Sequence, residues 1–526
     1  MDTPHTYPKG CVFSSLSDIK GKKVTVMGLG LNGGGEATVS FFLKHGAFVT
    51  VTDTKSKELL AKTISKLESD ESLDKSRLKY VLGEHRKEDF STADCVIKNP
   101  GVRFEGNPYL QVAKAVETDL SLFLHFTKAP IIAVTGSKGK SSTVSAIAFG
   151  LSEAGFKTFL GGNITVSPLT FLEETDETTP VVLELSSWQL RDLRGRGVLK
   201  PKIALITKIV PDHQNFYGNM DSYVDDKRLI YAEQDAEDFA IFDFDEDGYT
   251  NECASPKENC FSWGESFARE ARACVLRYSK KSLPKNIAGV FQQTTFGNAE
   301  GFVQNIKQFK NDGEETKKII GKLLVPGEHN RSNVLNAALV MYLMNVAPSK
   351  IETILSRWTG IPHRLERFFE WKNSKNNLKV EFFNDSCATV PEATVAAVKA
   401  FETSVILIAG GTDKGLDFTN LAETLKQPEF APKRIYLLAG TGTDLLLPLL
   451  ENARIPYFAP FDSLDNLLEV LKSDLNAENA QEAFVPLEKN ASVPVVFSPG
   501  ATSFGMFANE FERGNLFKEK VVRLFS

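Results

Sequence analysis

The sequence has no uninterrupted apolar run near the ~18 residues needed to cross a bilayer, so a membrane-embedded protein is not expected. It has no surplus of basic charge either: 61 Lys and Arg stand against 67 Asp and Glu, a net charge of −6. Binding a phosphate backbone requires a basic surface, which removes nucleic acid from the expected partners. Cysteine is scarce, and Cys11, Cys95, Cys253, Cys260, Cys274 and Cys387 show no CxxC spacing, which argues against a zinc site or a disulfide framework. Residues 1–21 lack both a basic n-region and an apolar core, so no secretory signal is read there. These absences lead us to expect a soluble, cytoplasmic protein; a monomer acting on small-molecule substrates is a separate expectation that they do not establish.

What is present is ordinary globular composition, 42% apolar and 24% charged over 526 residues. That length suggests three to four domains of about 150 residues each. Strand-like runs repeatedly enter glycine-rich turns followed by helical stretches, the alternation of α/β domains with parallel sheets. The most informative turn is VTGSKGKSS (134–142), which follows APIIAV (129–134) and precedes a helical stretch at 143–151. Glycines at a strand-to-helix turn let backbone N–H groups and a helix N-terminus hold phosphate. Gly136, Ser137, Lys138, Gly139, Lys140, Ser141 and Ser142 are therefore candidate ATP-binding residues. Lys140 would act as a point charge on the β/γ-phosphates, and Ser141 or Ser142 as a hydroxyl toward Mg²⁺. A strict GxxxxGK[ST] needs glycine where Val134 stands, so the motif is a shortened TGxxGKS.

Upstream, KKVTVM (22–27) runs into GLGLNG, with Gly28, Gly30 and Gly33, and a second strand at 48–52 ends at Asp53. This is the dinucleotide pattern, which on its own supports an NAD-dependent oxidoreductase, although the same turn can hold any nucleotide diphosphate. A further strand and turn, DCVIKNPG (94–101), continues the alternation to about residue 118. Beyond the P-loop, GGNI (161–164) supplies Asn163, and VVLELSS (181–187) carries the lone carboxylate of Glu184. That carboxylate is costly to bury unpaired, and reads either as a strand-end salt bridge or as a Mg²⁺ ligand. His213 follows a strand at 203–207. Lys227 falls in a helix expected over 222–235, where spacing alone makes it a solvated member of a charged face. Residues 251–322 read as irregular strands and surface loops. LLVPGEHNRSNVLN (323–336) reads as strand, Pro-Gly turn and helix start, with Asn333 one turn beyond His329. After GIPHRL (360–365), which breaks the pattern and exposes Arg364, strands at 380–384, 405–409, 434–438 and 493–497 each run into a Gly/Ser/Asp loop. In a doubly wound sheet such loops line the ligand crevice.

In order along the chain, TGSKGKSS (135–142), GGNI (161–164), LELSSWQL (183–190), Asp212-His213, KRLIY (227–231), PGEHNRSN (326–333), PHR (362–364), NDSCAT (384–389), GGTDKGLDF (410–418) and SPGATSF (498–504) resemble the ATP-dependent Mur ligases of peptidoglycan synthesis. The resemblance covers nearly the whole chain. GLGLNG with Asp53-Thr54, the GGTDKG loop and SPGATSF favour the members that add D-glutamate to UDP-N-acetylmuramoyl-L-alanine, and the DNPR-type signature of the diaminopimelate-adding members is absent. The L-alanine-adding and folylpolyglutamate-type enzymes are the alternatives within the superfamily.

The resemblance implies three α/β domains: a Rossmann-like domain for the UDP substrate (1–118), a P-loop ATPase domain (119–360) and a Rossmann-like domain for the amino acid (361–526). It implies an amide ligase that activates a carboxylate as an acyl phosphate, with ATP and Mg²⁺. Lys140, Glu184, His213 and Lys227 would be catalytic. Ser141, Glu184, His213 and Lys227 would hold metal, Lys227 as a carbamate, which reverses the solvated-face reading. Asn330, Asn333, Arg364 and Asp385 would join the P-loop around ATP. Leu31, Asn32, Asp53, Thr54, Gly101 of the Asn99-Pro100-Gly101 turn, Asn163 and His213 would meet the UDP substrate, in place of a dinucleotide. Thr389, Lys414, Ser503 and Phe504 would meet D-glutamate. Cys387 and Glu510 depart from family positions where a lysine and an aromatic are common, and both bear on amino-acid specificity.

Overall fold

The computed structural model describes residues 11–31, 33–164, 166–245, 262–295, 298–306, 316–401, 403–477, 480 and 492–526. Two compact units emerge: Met1–Gly321 with Ser332–Leu355, and Lys322–Arg331 with Ser356–Ser526. Among the described residues the first unit holds two sheets and the second unit one.

The first sheet contains β1 (Lys23–Met27), β2 (Phe48–Asp53), β3 (Leu78–Leu82), β4 (Cys95–Lys98) and β5 (Val116–Glu117), in the order β3-β2-β1-β4-β5. Every pairing is parallel, with Lys23 opposite Phe48 and Val24 opposite Cys95. The order reverses at β1, so the glycine turn after Met27 opens at the switch point, where ligands bind in such sheets.

The central sheet contains β6 (Ile131–Thr135), β7 (Phe159–Gly162), β8 (Val181–Glu184), β9 (Ile203–Ile206), β10 (Phe239–Asp243), β11 (Cys274–Ser279), β12 (Gly289–Thr295), β13 (Asn298–Gln304) and β14 (Thr316–Ile320). Their order is β14-β13-β12-β11-β10-β9-β6-β8-β7. β6, β8 and β9 are buried at every position and read as apolar runs, broken only by Thr135 and Glu184 at strand ends, as strands covered on both faces do. The segment read as irregular is instead regular where described. It supplies a helix, Trp263–Glu270, and four strands that extend the sheet, β13 and β14 antiparallel to their neighbours. Charge hid these strands from the sequence: Lys318 on β14 pairs with Glu300 on β13 at 2.7 Å and with Glu352 at 3.0 Å, where an apolar alternation would have been legible. Two boundaries also move. The strand expected at 323–325 is a turn, with β14 ahead of it and the helix Glu328–Leu343 directly after. The helix expected over 222–235 spans Met220–Arg228; beyond it the chain turns, and Gln234 Nε2 donates to the carbonyls of Pro201 and Phe239 at 2.8 and 3.0 Å.

The second unit holds β15 (Glu366–Lys372), β16 (Lys379–Asn384), β17 (Ile406–Gly410), β18 (Arg434–Leu438), β19 (Phe458–Phe461) and β20 (Val493–Phe497), in the order β15-β16-β20-β17-β18-β19. β15 and β16 form an antiparallel hairpin and the remaining pairings are parallel. Ile408, Tyr436 and Val495 pack into one core with the helices Leu464–Leu475 and Glu510–Phe525, while Leu407, Leu437 and Val496 pack on the other face with Pro391–Lys399 and Thr419–Leu425. The α/β class expected from the strand–turn–helix alternation is borne out.

Candidate active site

β6 ends at Thr135 and the helix Lys140–Glu153 begins at Lys140, so the P-loop is the turn 136–139. Gly136 has φ +142°, and a Cβ there would lie 1.9 Å from Thr207 Oγ1. Gly139 has φ +93°, and its Cβ would lie 2.5 Å from Asn333 Oδ1. Both positions thus exclude a side chain by conformation and by space. The turn is tied down from below. Ser137 N donates to Lys208 O at 2.9 Å, Ser137 Oγ donates to Val210 O at 2.8 Å, and the same hydroxyl lies 3.0 Å from Tyr223 Oη. Ser141 and Ser142 are half-buried in the first helical turn, where amide N–H groups and the helix dipole favour an anion. Lys140 Nζ donates to the carbonyls of Gly136 and Ser137, at 2.9 and 3.2 Å. Lys138 is exposed, 3.7 Å from Asp212. Asn333 is brought to the loop: besides its closeness to Gly139, its Oδ1 accepts from Thr143 Oγ1 at 3.4 Å.

Beside β6, Glu184 ends β8 with 2% of its surface exposed. Its Oε1 accepts from Asn163 Nδ2 at 3.0 Å, while Oε2 is buried with no hydrogen-bond partner among the described residues. Neither matches a strand-end salt bridge. A buried carboxylate oxygen left unmatched is what an oxygen-seeking cation such as Mg²⁺ requires. Among the described residues no three His, Cys, Asp or Glu side chains form a preformed cluster, and the expected donor set, with a serine and a modified lysine, is not of that kind.

Lys227 is not solvated. The helix Met220–Arg228 turns Tyr223, Val224 and Lys227 inward at i, i+1 and i+4, and Lys227 is 1% exposed. Its Nζ donates to Gly136 O at 2.9 Å, lies 3.4 Å from Thr135 Oγ1 and stands 4.5 Å from the Tyr223 ring centroid. Burial, reinforced by the charge of Lys140, pushes the amine well below its ordinary value, against the pull of Asp212, Asp226 and Glu184. His213 opens a short helix with φ +51°, a left-handed conformation rare for a side-chain-bearing residue. Its exposed ring packs 5.1 Å from that of Trp188.

In the first sheet's crevice, Asp53 is 4% exposed and both its oxygens are engaged, Oδ2 by Gly30 N at 3.1 Å and Oδ1 by Lys55 N at 2.9 Å. It therefore shapes the glycine turn. Leu31, Thr54 and Gly101 are exposed, and Asn32 lies outside the described residues. Sequence reasoning missed a cleft of about 270 Å³ beside Gly101, lined by Lys98, Arg103, Glu105, Trp188, Arg191 and Phe216. Lys98 is buried and its Nζ reaches Asp192 Oδ2 at 2.6 Å and Val102 O at 3.0 Å. A lysine at the end of an apolar strand was the available signal, but its partner is 94 residues away.

In the second unit, Asp385 directly follows β16 and is 8% exposed; Oδ1 accepts from Leu365 N at 3.1 Å and Oδ2 from Ser498 Oγ at 2.7 Å. Burial raises its carboxyl to about 7, against these hydrogen bonds and the charge of nearby Arg364, which is itself exposed. Asn330 Nδ2 donates to Pro326 O at 2.9 Å. Lys414 Nζ lies 3.5 Å from Thr389 Oγ1, so these two come together; Ser503 is buried at 4% and the Phe504 side chain is 63% exposed. Burial raises the Cys387 thiol above its ordinary value. Arg513, to which the sequence reading gave no site role, is 1% exposed and joins the NDSCAT and SPGATSF loops: Nη2 and Nε donate to Ser386 O and Oγ at 2.7 and 3.0 Å, and Nη1 to Ala501 O at 3.0 Å. Its signal was the Arg513-Gly514 pair in the first turns of the last helix.

A P-loop at the end of β6, an unmatched buried carboxylate and a buried lysine together describe a site for the phosphates of ATP. Residues 134–341 match the Mur ligase middle domain and residues 22–120 match the Mur ligase MurD-like N-terminal domain; the chain belongs to the Mur ligase family. It is 39% identical to the UDP-N-acetylmuramoylalanine–D-glutamate ligase of Treponema pallidum, over 96% of this chain and 98% of the relative. To the enzyme of the same name from Borreliella afzelii it is 38% identical, over 96% and 99%. The solved UDP-N-acetylmuramate–alanine ligase MurC of Thermotoga maritima shares the fold, with a TM-score of 0.52 at 17% identity over 96% of this chain and 100% of that one.

Proposed function

We propose that this chain joins D-glutamate to UDP-N-acetylmuramoyl-L-alanine, converting ATP to ADP and phosphate, as a cytoplasmic monomer in peptidoglycan precursor synthesis. The supporting observation is the near-full-length likeness to ligases of that name. In this reading residues 1–118 hold the UDP substrate, 119–360 ATP, and 361–526 the amino acid.

The substrate carboxylate attacks the γ-phosphorus and the bond to ADP breaks, leaving an acyl phosphate. The D-glutamate amine then attacks the acyl carbon, and phosphate leaves as the amide forms. The chain contributes position and charge. The P-loop amides and Lys140 hold the β- and γ-phosphates, with Asn330, Asn333, Arg364 and Asp385 on the rest of ATP. Leu31, Asp53, Thr54 and Gly101 hold the UDP end of the substrate, and Asn163 and His213 its reactive end. Lys414, Thr389, Ser503 and Phe504 orient D-glutamate. The lowered basicity of Lys227 gives a neutral amine able to add CO₂ and become a carbamate, an anion in place of a cation. Ser141, Glu184, His213 and that carbamate would hold Mg²⁺, which when bound neutralises phosphoryl charge.

Phosphate release from ATP with UDP-N-acetylmuramoyl-L-alanine and a panel of amino acids tests the assignment. Release with D-glutamate alone is expected; release only with another amino acid would overturn the specificity.

A further inference from the structure

We propose that Arg103 contacts the substrate and grips the diphosphate of the nucleotide sugar, an inference that rests on the functional reading above. The cleft beside Gly101 contains three cations, and two of them are matched: Lys98 by Asp192 at 2.6 Å and Arg191 by Glu105 at 2.6 Å. Arg103 is the surplus charge. Its side chain is exposed and donates no hydrogen bond to, and forms no ion pair with, any of the described residues, while its guanidinium carbon lies 4.2 Å from the Phe216 ring centroid. A guanidinium held over a ring by a cation–π contact, with its N–H groups otherwise unengaged, can offer its fork to two phosphate oxygens, and the ring contact limits the freedom lost on binding. One wall of the cleft is the Pro100-Gly101 turn, and another is Trp188, whose ring packs against His213 at 5.1 Å. A ligand reaching from the nucleotide turn to His213 therefore passes Arg103, and the part of a nucleotide sugar that lies between nucleoside and sugar is its diphosphate.

Calorimetric titration of the full chain with UDP and with uridine, beside steady-state kinetics, tests this in wild type, Arg103→Met and Arg103→Lys. Arg103→Met should raise the Kd for UDP and the KM for UDP-N-acetylmuramoyl-L-alanine together by about tenfold or more, the loss of one charge-assisted pair. The KM for ATP should move less, and uridine should bind both proteins alike. Arg103→Lys should recover part of the loss, restoring the charge without the fork. A rise in KM for the sugar substrate with UDP binding unmoved would mean that Arg103 reads the substrate's carboxylate, and would overturn the proposal. Unchanged UDP binding and unchanged KM would overturn it while leaving the functional reading intact. Failure of the wild type to bind UDP would overturn both. Because Arg103 is exposed, the variants should melt with the wild type, which separates lost contact from lost fold.

Discussion

With its Nζ against the Gly136 carbonyl and almost no exposed surface, Lys227 has a basicity set by its surroundings. Lys227→Ala should abolish ADP formation, and formate or acetate, filling the space with a carboxylate, should restore part of it in a coupled ADP assay; no recovery would count against the carbamate. Asp385 shows the opposite shift. Its carboxyl titrates near 3.8 when unfolded and about 7 when folded, so between those values the folded chain holds a proton the unfolded chain has lost. Stability from this residue accordingly falls as pH rises from about 4 to about 7, and the cost is complete above that. Asp385→Asn stays neutral, so thermal melts should show a smaller loss between pH 4 and pH 8 than in wild type; parallel profiles would refute the buried charge. Glu184 was legible in the sequence because a carboxylate amid Val and Leu stands out. Lys227 was not: its helix carries charge on every side, and only the inward turn of Tyr223 and Val224 identifies the buried face. Family resemblance, not spacing, pointed to it.

Among the elements, the turn after β4 and the helix Ser187–Asp192 are fastened by the buried Lys98–Asp192 pair. Removing one partner leaves the other charged and unmatched, which costs about 3–5 kcal/mol, whereas replacing both with apolar groups is close to neutral. Urea melts of Lys98→Met should show that loss, and Lys98→Met with Asp192→Leu should regain most of it; equal destabilisation in the two would mean that the pair is not coupled. The same contrast marks what the sequence could reveal. β6, β8 and β9 are buried at every position and announce themselves as largely apolar runs, and the P-loop is written in consecutive residues. β14 is an edge strand whose charged side chain is satisfied across to its neighbour β13, and the cleft is assembled from segments far apart in sequence, so neither leaves a local pattern.

At the scale of the molecule, the residues proposed to meet UDP belong to one compact unit and those proposed to meet D-glutamate to the other. A ligand stabilises what it binds, and two units need not melt as one. UDP should therefore raise one calorimetric transition and leave the second in place; a uniform shift would contradict the partition of substrates. The strand order of the second unit has a consequence of a different kind. β20, the last strand made, lies between β16 and β17 in the middle of its sheet. As the chain leaves the ribosome, the β15–β16 hairpin and the β17–β19 ribbon can form, yet they have nothing to join them until residues 493–497 emerge. Through most of translation each half presents a bare edge to solvent, the condition under which strands pair with the wrong neighbour. A nascent chain stalled before residue 493 should accordingly depend on chaperones far more than the finished protein does.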